Sequence, residues 1–307
     1  MPPYHVQAST SAVEIWTGKR IQFGSESRDD WQKALKADLR QAFSKLDVSQ
    51  SALIAGYYYS SSPVVTDTEN SLFTNVGETM PRGSFTALSF ERGTDAPPEP
   101  PCSVDLISGH LHYYRYRVGG SWTSWRAGRT LAQWHHVPRR VSVGTDTARP
   151  VWFALREANA DGLVVVSNDE DLDPNQNFGL RITVHTTKTA SHRPISNSEF
   201  VVDGAIAAFH NDPVGDDIVA AVLPRLPGVT EDSLRHALSS CAGPLFPTPA
   251  VLIEKNSAVR ISPADHRCWL GSYSVRQDST SRWPEFSGEL FTLLPIDSAK
   301  GDGGDAP

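Results

Sequence analysis

Asp67 and Glu69, two residues apart and followed directly by Asn70, are the side chains of this 307-residue chain best suited to holding a cation. They follow the strand-like run around Val64 and Val65. On an extended segment alternate side chains share a face, so the two carboxylates would converge. Convergent carboxylates suit Mg2+, which takes hard oxygen ligands and activates a bound water. Asn70 would supply a carbonyl or orient a water, and Glu91 and Asp105 are candidates for a further ligand. The competing reading is a turn in which Asp67 and Asn70 bond their own backbone.

The acid-x-acid-Asn run resembles the signature of RusA-type Holliday-junction resolvases, in which acidic residues hold Mg2+. The resemblance covers Asp67-Thr68-Glu69-Asn70. Ser71-Leu72-Phe73-Thr74 stands where that signature carries a lysine, and the chain is much longer than that family. The resemblance implies Mg2+ at Asp67 and Glu69 and chemistry on a phosphodiester.

A second feature lies between Asp105 and Asp146, where there is no Asp or Glu. The interval holds six arginines, four histidines and six Tyr or Trp residues, within a chain of formal charge −7. Guanidinium groups grip phosphate and aromatic rings stack on bases. On a strand from His110 to Val118, His110, His112, Tyr114 and Tyr116 face one way, and Leu111, Tyr113, Arg115 and Arg117 the other. Trp122, Trp125, Arg126 and Arg129 follow the Gly119-Gly120 turn and would close a groove for nucleic acid. The competing reading makes the aromatics core and pairs the arginines with acids elsewhere. Arg, Trp and Tyr also dominate protein interfaces, so a non-catalytic subunit or scaffold with a protein partner is the main alternative function.

A third feature is His110-x-His112, two histidines on one strand face, with His135-His136 later. The pair resembles that of a cupin, although Tyr113 to Gly119 supplies no glutamate as third ligand. It gives a second alternative, a His-ligated metalloenzyme acting on a small molecule. Ser262-Pro263-Ala264-Asp265-His266 reads as a turn, because an adjacent Asp and His do not by themselves make a triad. No G-x-S-x-G, phosphate loop, G-x-G-x-x-G or H-E-x-x-H occurs. ATPase, Rossmann dehydrogenase and zincin readings are left without support, and no nucleotide or flavin cofactor is indicated. The acidic loop with Asp169, Glu170, Asp171 and Asp173 lacks the glycine and terminal glutamate of an EF-hand. His185 and His192 flank a polar loop. Cys102, Cys241 and Cys268 are scattered, with no C-x-x-C pair, and read as small hydrophobes.

The elements that must position these residues follow from periodicity. Trp31, Leu35, Leu39 and Phe43 mark a helix opened by Asp29-Asp30. Strands are expected over 4–16, 51–59, 85–91, 110–118, 151–156, 162–166, 180–186, 251–261, 269–275 and 289–294. Helices are expected over 216–223 and 231–239, with a short one over 129–136. The stretch 199–210 is a strand pair or a helix, and Ala96 to Pro101 is a proline-rich loop or linker. No internal repeat is visible in the sequence. The pattern predicts an α+β fold, mostly antiparallel sheet with a few packed helices. Two lobes, 1–160 and 178–298, followed by a disordered tail at 299–307, are the expected division. A single domain with a long loop is the alternative. Hydrophobic content of 39% supports a core. No bilayer-length apolar run and no secretory signal are present, so a cytoplasmic, non-membrane protein is expected.

Overall fold

The computed structural model describes residues 2–23, 29–81, 85–142, 148–167, 173, 175–187, 194–239, 244–253 and 258–296. The expected tail, Cys241, His192 and residues 168–172 of the acidic loop lie outside them. The fold is α+β. A mixed, mostly antiparallel ten-stranded sheet carries helices on one face.

The chain runs β1 (Tyr4–Ala8), β2 (Ala12–Thr17), α1 (Asp30–Phe43), β3 (Leu53–Ser60), β4 (Ala87–Arg92), β5 (His112–Val118) and β6 (Trp125–Pro138). It continues through α2 (Ala148–Ala160), β7 (Val164–Val166), β8 (Phe178–His185), α3 (Pro194–Ala207), α4 (Asp216–Val222) and α5 (Glu231–Ser239). It ends with β9 (Val251–Ile253), β10 (Val259–Ile261), β11 (Cys268–Arg276) and β12 (Glu285–Pro295). The large sheet has the order β1-β2-β5-β3-β4-β11-β8-β12-β6-β7, while β9 and β10 pair separately. Strands from the expected lobes 1–160 and 178–298 share this one sheet, where β11 pairs with β4 and β12 with β6.

Counted outward from the antiparallel β4–β11 pair, the two sides match. On one side come β3, β5, β2 and β1, and on the other β8, β12, β6 and β7. Each side has one parallel pairing followed by three antiparallel ones. The chain order also repeats, as β2-α1-β3-crossover-β4-β5 and then β6-α2-β8-crossover-β11-β12. The halves differ at the rims, where β1 precedes β2 but β7 follows α2. They also differ in the second crossover, which carries α3, α4, α5 and the small sheet. The repeat lies in the topology and not in the sequence.

One face of the sheet packs on the helices. Ile54, Tyr58, Leu88, Phe90, Tyr114, Tyr116, Ile182, Val184 and Leu290 join Leu35, Leu39, Phe43, Leu155, Val201, Ile206 and Leu234 in one cluster. The opposite, outer face is covered by loops. Trp16 and Tyr113 pack under the proline-rich segment, where the Trp16 indole N–H donates to the Pro98 carbonyl at 2.9 Å. Leu270, Phe291 and Leu293 pack beneath Trp122 and Trp125.

Two elements differ from expectation. Val151 to Arg156 belongs to α2 and is not a strand. Val151, Trp152, Phe153, Ala154 and Leu155 are all buried, so the run has no polar face to reveal a helical period. Arg129 to His136 belongs to β6 and is not a helix. Register shifts against β12 between Phe286 and Gly288, Leu290 and Phe291, and Phe291 and Leu293 put extra residues in β6. The bulges bring Leu131, Trp134 and Val137 inward at a spacing of three, which imitates a helix.

Two glycines let aromatic rings lie flat across the sheet. A Cβ on Gly271 would sit 2.1 Å from the Phe90 ring, and one on Gly179 would sit 2.2 Å from the Phe291 ring. Gly271→Ala forces the Phe90 ring out of the central strand pair. It should cost about 1–3 kcal/mol, the usual range for overpacking a core. An unchanged denaturant midpoint would show that the β4–β11 pair tolerates the displacement.

Candidate metal centre

The connection from β3 to β4 contains a helical turn from Thr68 that widens into a π-helical turn, Asn70–Thr74, where the Asn75 amide reaches the Asn70 carbonyl at 2.9 Å. Asp67 stands just before it and accepts the Asn70 backbone N–H on Oδ1 at 3.2 Å. The turn-forming reading of Asp67 is therefore realised, though Asn70 turns its own side chain elsewhere. The segment is helical and not extended, so Asp67 and Glu69 do not share a strand face. Widened turns of this kind recur at functional sites.

Helix α3 packs against this turn. Its residues Glu199 and Asp203 are four apart and so lie on one helical face. Glu199 accepts from the Asn70 side-chain amide at 3.1 Å and from Thr74 Oγ1 at 3.0 Å. Glu69 accepts from Ser198 Oγ at 2.5 Å. Asp265 arrives on a short 3-10 turn immediately before β11 and accepts the His266 amide at 2.8 Å. Among the described residues, one set of three or more His, Cys, Asp or Glu side chains could share an ion. It is Asp67, Asp203 and Asp265, with ligand atoms all within 4.8 Å of one another. All three retain partial exposure.

No Lys or Arg forms an ion pair with Asp67, Glu69, Glu199, Asp203 or Asp265 among the described residues. The one basic neighbour in range is His266 Nδ1, 3.8 Å from Asp265. Two unit charges ~5 Å apart at an effective dielectric of ~20 repel by about 3 kcal/mol. Burial first, and this repulsion second, make all five carboxyls hold their protons above the ordinary range. Burial and the charge of Asp265 push Asp67 up to about 8. Burial and then Asp67 drive Glu69 well upward. Asp203 is raised well above its ordinary value by burial and then by Asp265, Asp67, Glu199 and Glu69. Burial, ahead of all other causes, also raises Glu199 and Asp265. Cys268 lies against the cluster with its thiol raised by burial and by Asp67, Asp265 and Glu69, so it stays protonated.

The donor set consists only of oxygen, which fits a hard cation such as Mg2+, Mn2+ or Ca2+. Oxygens around a single ion at ~2.1–2.5 Å lie within ~5 Å of one another, in keeping with the spacing here. Asp67 and Glu69 are legible in the sequence, whereas sequence reasoning misses Glu199 and Asp203. Their signal is two acids four apart inside an otherwise apolar helical stretch. Asp265 reads in the sequence only as part of a turn, and that turn is what delivers it.

Glu91 is placed elsewhere. Its carboxylate accepts the Thr123 and Ser124 backbone N–H groups at 2.8–3.0 Å and the Thr123 hydroxyl at 2.6 Å. It points to the outer face, while its neighbour Arg92 bonds the Thr66 carbonyl beneath the sheet. Asp105 lies beside Gly18 and joins no cation-binding set among the described residues. His112 is buried with Nδ1 3.0 Å from the Tyr58 hydroxyl, and burial followed by Arg20 pushes it down to about 4. Neither His110 nor His112 belongs to a set of three ligands among the described residues.

The basic island is split by the sheet. Tyr114 and Tyr116 are core beneath it, and Tyr113 is buried under the outer loops. Arg115 and Arg117 lie on the outer face, Arg115 with its guanidinium 5.0 Å from the Tyr57 ring centre and Arg117 exposed. With Tyr57, Glu91, Gly120 and Trp122 they line a shallow groove. Arg126 and Arg129 are exposed on β6. Trp122 packs against Phe291 and the Arg181 guanidinium, and Trp125 packs edge-on against Trp269 while donating to the Arg92 carbonyl at 2.7 Å. These indoles are engaged within the protein. Arg115 and Arg117 do not reach a phosphate bound at Asp67, because the two sites lie on opposite faces of the sheet.

No protein-family model matches the chain, and no curated protein sequence matches it. No helix among the described residues is long and apolar enough to cross a membrane.

Each clustered carboxyl binds its proton to higher pH in the folded chain than in the unfolded one. Between the ordinary value of 3.8 and the raised value of about 8 for Asp67, the folded state holds the extra proton. Stability of the metal-free protein is therefore fullest at acid pH and falls as pH rises through that window, by up to about 1.4 kcal/mol per pH unit for each such group. Thermal unfolding in chelator should show Tm falling from pH 5 to pH 8, and Asp67→Asn should flatten the fall. A Tm that rises over this interval would contradict the crowding.

Proposed function

We propose that the chain is a Mg2+- or Mn2+-dependent phosphodiesterase acting on nucleic acid, with its ion on Asp67, Asp203 and Asp265. One observation carries the reading: five carboxylates crowd together from three separate segments with no Lys or Arg partner among the described residues. Such a group costs stability when ionised, and a divalent cation removes that cost. Three protein ligands leave coordination positions open for water and a phosphate oxygen. Glu69 and Glu199 flank the trio, both with carboxyls raised by burial, and are the candidates for a general base. Nucleic-acid binding is a separate limb of the proposal: Arg115 and Arg117 on the outer face would bind a phosphate backbone without bringing it to the ion, which lies on the other face.

A second reading is favoured by the location of the cluster. The acids come from the two equivalent crossovers, so a bound ion would also tie the halves of the sheet together as a structural cation.

Mn2+ titrated into chelator-treated protein should bind with proton release and raise Tm, and Asp203→Asn should remove both effects. Cleavage of labelled DNA in Mg2+ should be abolished in Asp67→Ala and Asp203→Asn while binding survives. An ion that raises Tm without any turnover would favour the structural reading, and no ion binding would remove both. Separately, Arg115→Ala with Arg117→Ala should weaken oligonucleotide binding and reduce its salt slope by about one for each phosphate left unneutralised. Anisotropy with an unaltered slope would remove the outer face from the proposal.

A further inference from the structure

On the outer face, at the ends of β8 and β11 and on β12, three side chains form a relay. Asp278 Oδ1 lies 2.7 Å from His185 Nδ1. His185 Nε2 lies 3.0 Å from Ser287 Oγ. The carboxylate fixes the imidazole with its proton on Nδ1, which leaves Nε2 free to accept the serine proton. His185 is buried at 6% exposure, whereas Ser287 is partly open. We propose that Ser287, His185 and Asp278 form a nucleophilic triad that cleaves small carboxylic esters.

The surrounding backbone is shaped around this serine. Ser287 sits at a register shift, where β12 passes from Phe286 opposite Val137 to Gly288 opposite Trp134. His135 and His136 thus face a single residue of β12, and His136 adopts φ 48°, the one positive value among described non-glycine residues. That conformation costs on the order of 1–3 kcal/mol in a residue with a Cβ. It turns the His136 amide onto Ser287 Oγ at 3.0 Å in place of a ladder bond. It also lays the His136 ring against His185, with centroids 4.2 Å apart. Glu285 Oε2 holds His136 Nδ1 at 3.2 Å and takes a hydrogen bond from Ser279 at 2.9 Å. His136 is a positioning residue here, since its ring fixes the plane of His185 while its amide orients the Ser287 lone pairs. Bulges recur beside active sites because they re-aim a side chain in this way.

In the reaction, Ser287 Oγ attacks the ester carbonyl carbon as its proton passes to His185 Nε2. The bond to the leaving alcohol breaks, and the departing oxygen takes that proton. Water then attacks the acyl-serine and gives a proton to Nε2. The carboxylic acid departs as the proton returns to Ser287. Every proton moves through His185, so the proposal stands apart from the acidic cluster.

The test is labelling of the full chain with a fluorophosphonate, followed by intact and peptide mass spectrometry. In this reaction the Ser287 oxygen–phosphorus bond forms, fluoride leaves and His185 takes the proton. One adduct per chain on Ser287 is expected, absent in Ser287→Ala. His185→Ala should slow labelling about 100-fold or more, the low end of what a positioned general base contributes. p-Nitrophenyl acetate should show a matching burst of nitrophenolate in the unmodified protein. No adduct on the unmodified protein overturns the proposal, as does an adduct elsewhere or one at Ser287 whose rate ignores His185. The decisive measurement needs no variant, so a misfolded mutant cannot mask the answer.

Discussion

The antiparallel pairing of β4 with β11 is the constraint on which the rest of the structure depends. It joins two halves with matching strand order into one sheet, and it needs Gly271 so that the Phe90 ring can lie across the join. Each half reaches its central strand by a parallel crossover, β3 to β4 in one and β8 to β11 in the other. Parallel neighbours cannot be joined by a tight turn, so both crossovers must leave the sheet and return over a face. Both pass over the helical face. They therefore meet above the seam, and the side chains they carry are pressed together there.

What they press together is charge of one sign. A core would ordinarily fill such a junction with apolar residues, as α2 and α3 do where Gly204 lets α3 approach within reach of Ala148 and Val151. Here Asp67 and Glu69 come from the first crossover, and Glu199, Asp203 and Asp265 from the second. Hydrogen bonds from Asn70, Thr74 and Ser198 offset part of the cost by fixing Glu69 and Glu199. They leave Asp67, Asp203 and Asp265 less fully engaged, and those are the three whose oxygens converge. Clustered acids with no Lys or Arg partner among the described residues are a local conflict of the kind that folds tolerate at functional sites.

Legibility in the sequence follows burial. Helix α1 is readable because Leu35, Leu39 and Phe43 are buried and most of the intervening residues are polar. Helix α2 is not, because it is enclosed on nearly every side and its apolar run carries no phase. Strand β6 imitates a helix because three register shifts break the alternation that marks a strand. Among the acids, Asp67 and Glu69 stand out beside Asn70 in a short polar run, whereas Asp203 is hidden between Val202 and Gly204 in an apolar helix. Glu91 looks like a ligand because it lies near the end of a strand. Its partners, the Thr123 and Ser124 amides, are unreadable without the pairing that brings residues 119–124 across β4. The histidines are harder still. His185 and Ser287 are about a hundred residues apart and meet only because β8 and β12 are neighbours.

The two faces of the sheet thus carry different chemistry for a reason set by strand alternation. Every strand sends successive side chains to opposite sides, so a run such as Tyr113-Tyr114-Arg115-Tyr116-Arg117 is divided at each residue. Tyr114 and Tyr116 fix β5 to the helical layer, where the Tyr116 hydroxyl holds the Leu72 carbonyl at 2.7 Å and so helps seat the π-helical turn beside Glu69. Arg115 and Arg117, one residue away in each case, face outward. A linear cluster of arginine and aromatic residues therefore contributes to both faces, as a support for the acidic site on one and as exposed charge on the other. Composition alone treats the run as one surface. The alternation of the strand makes it two, and only the aromatic half of the run contacts the segment that carries the acids.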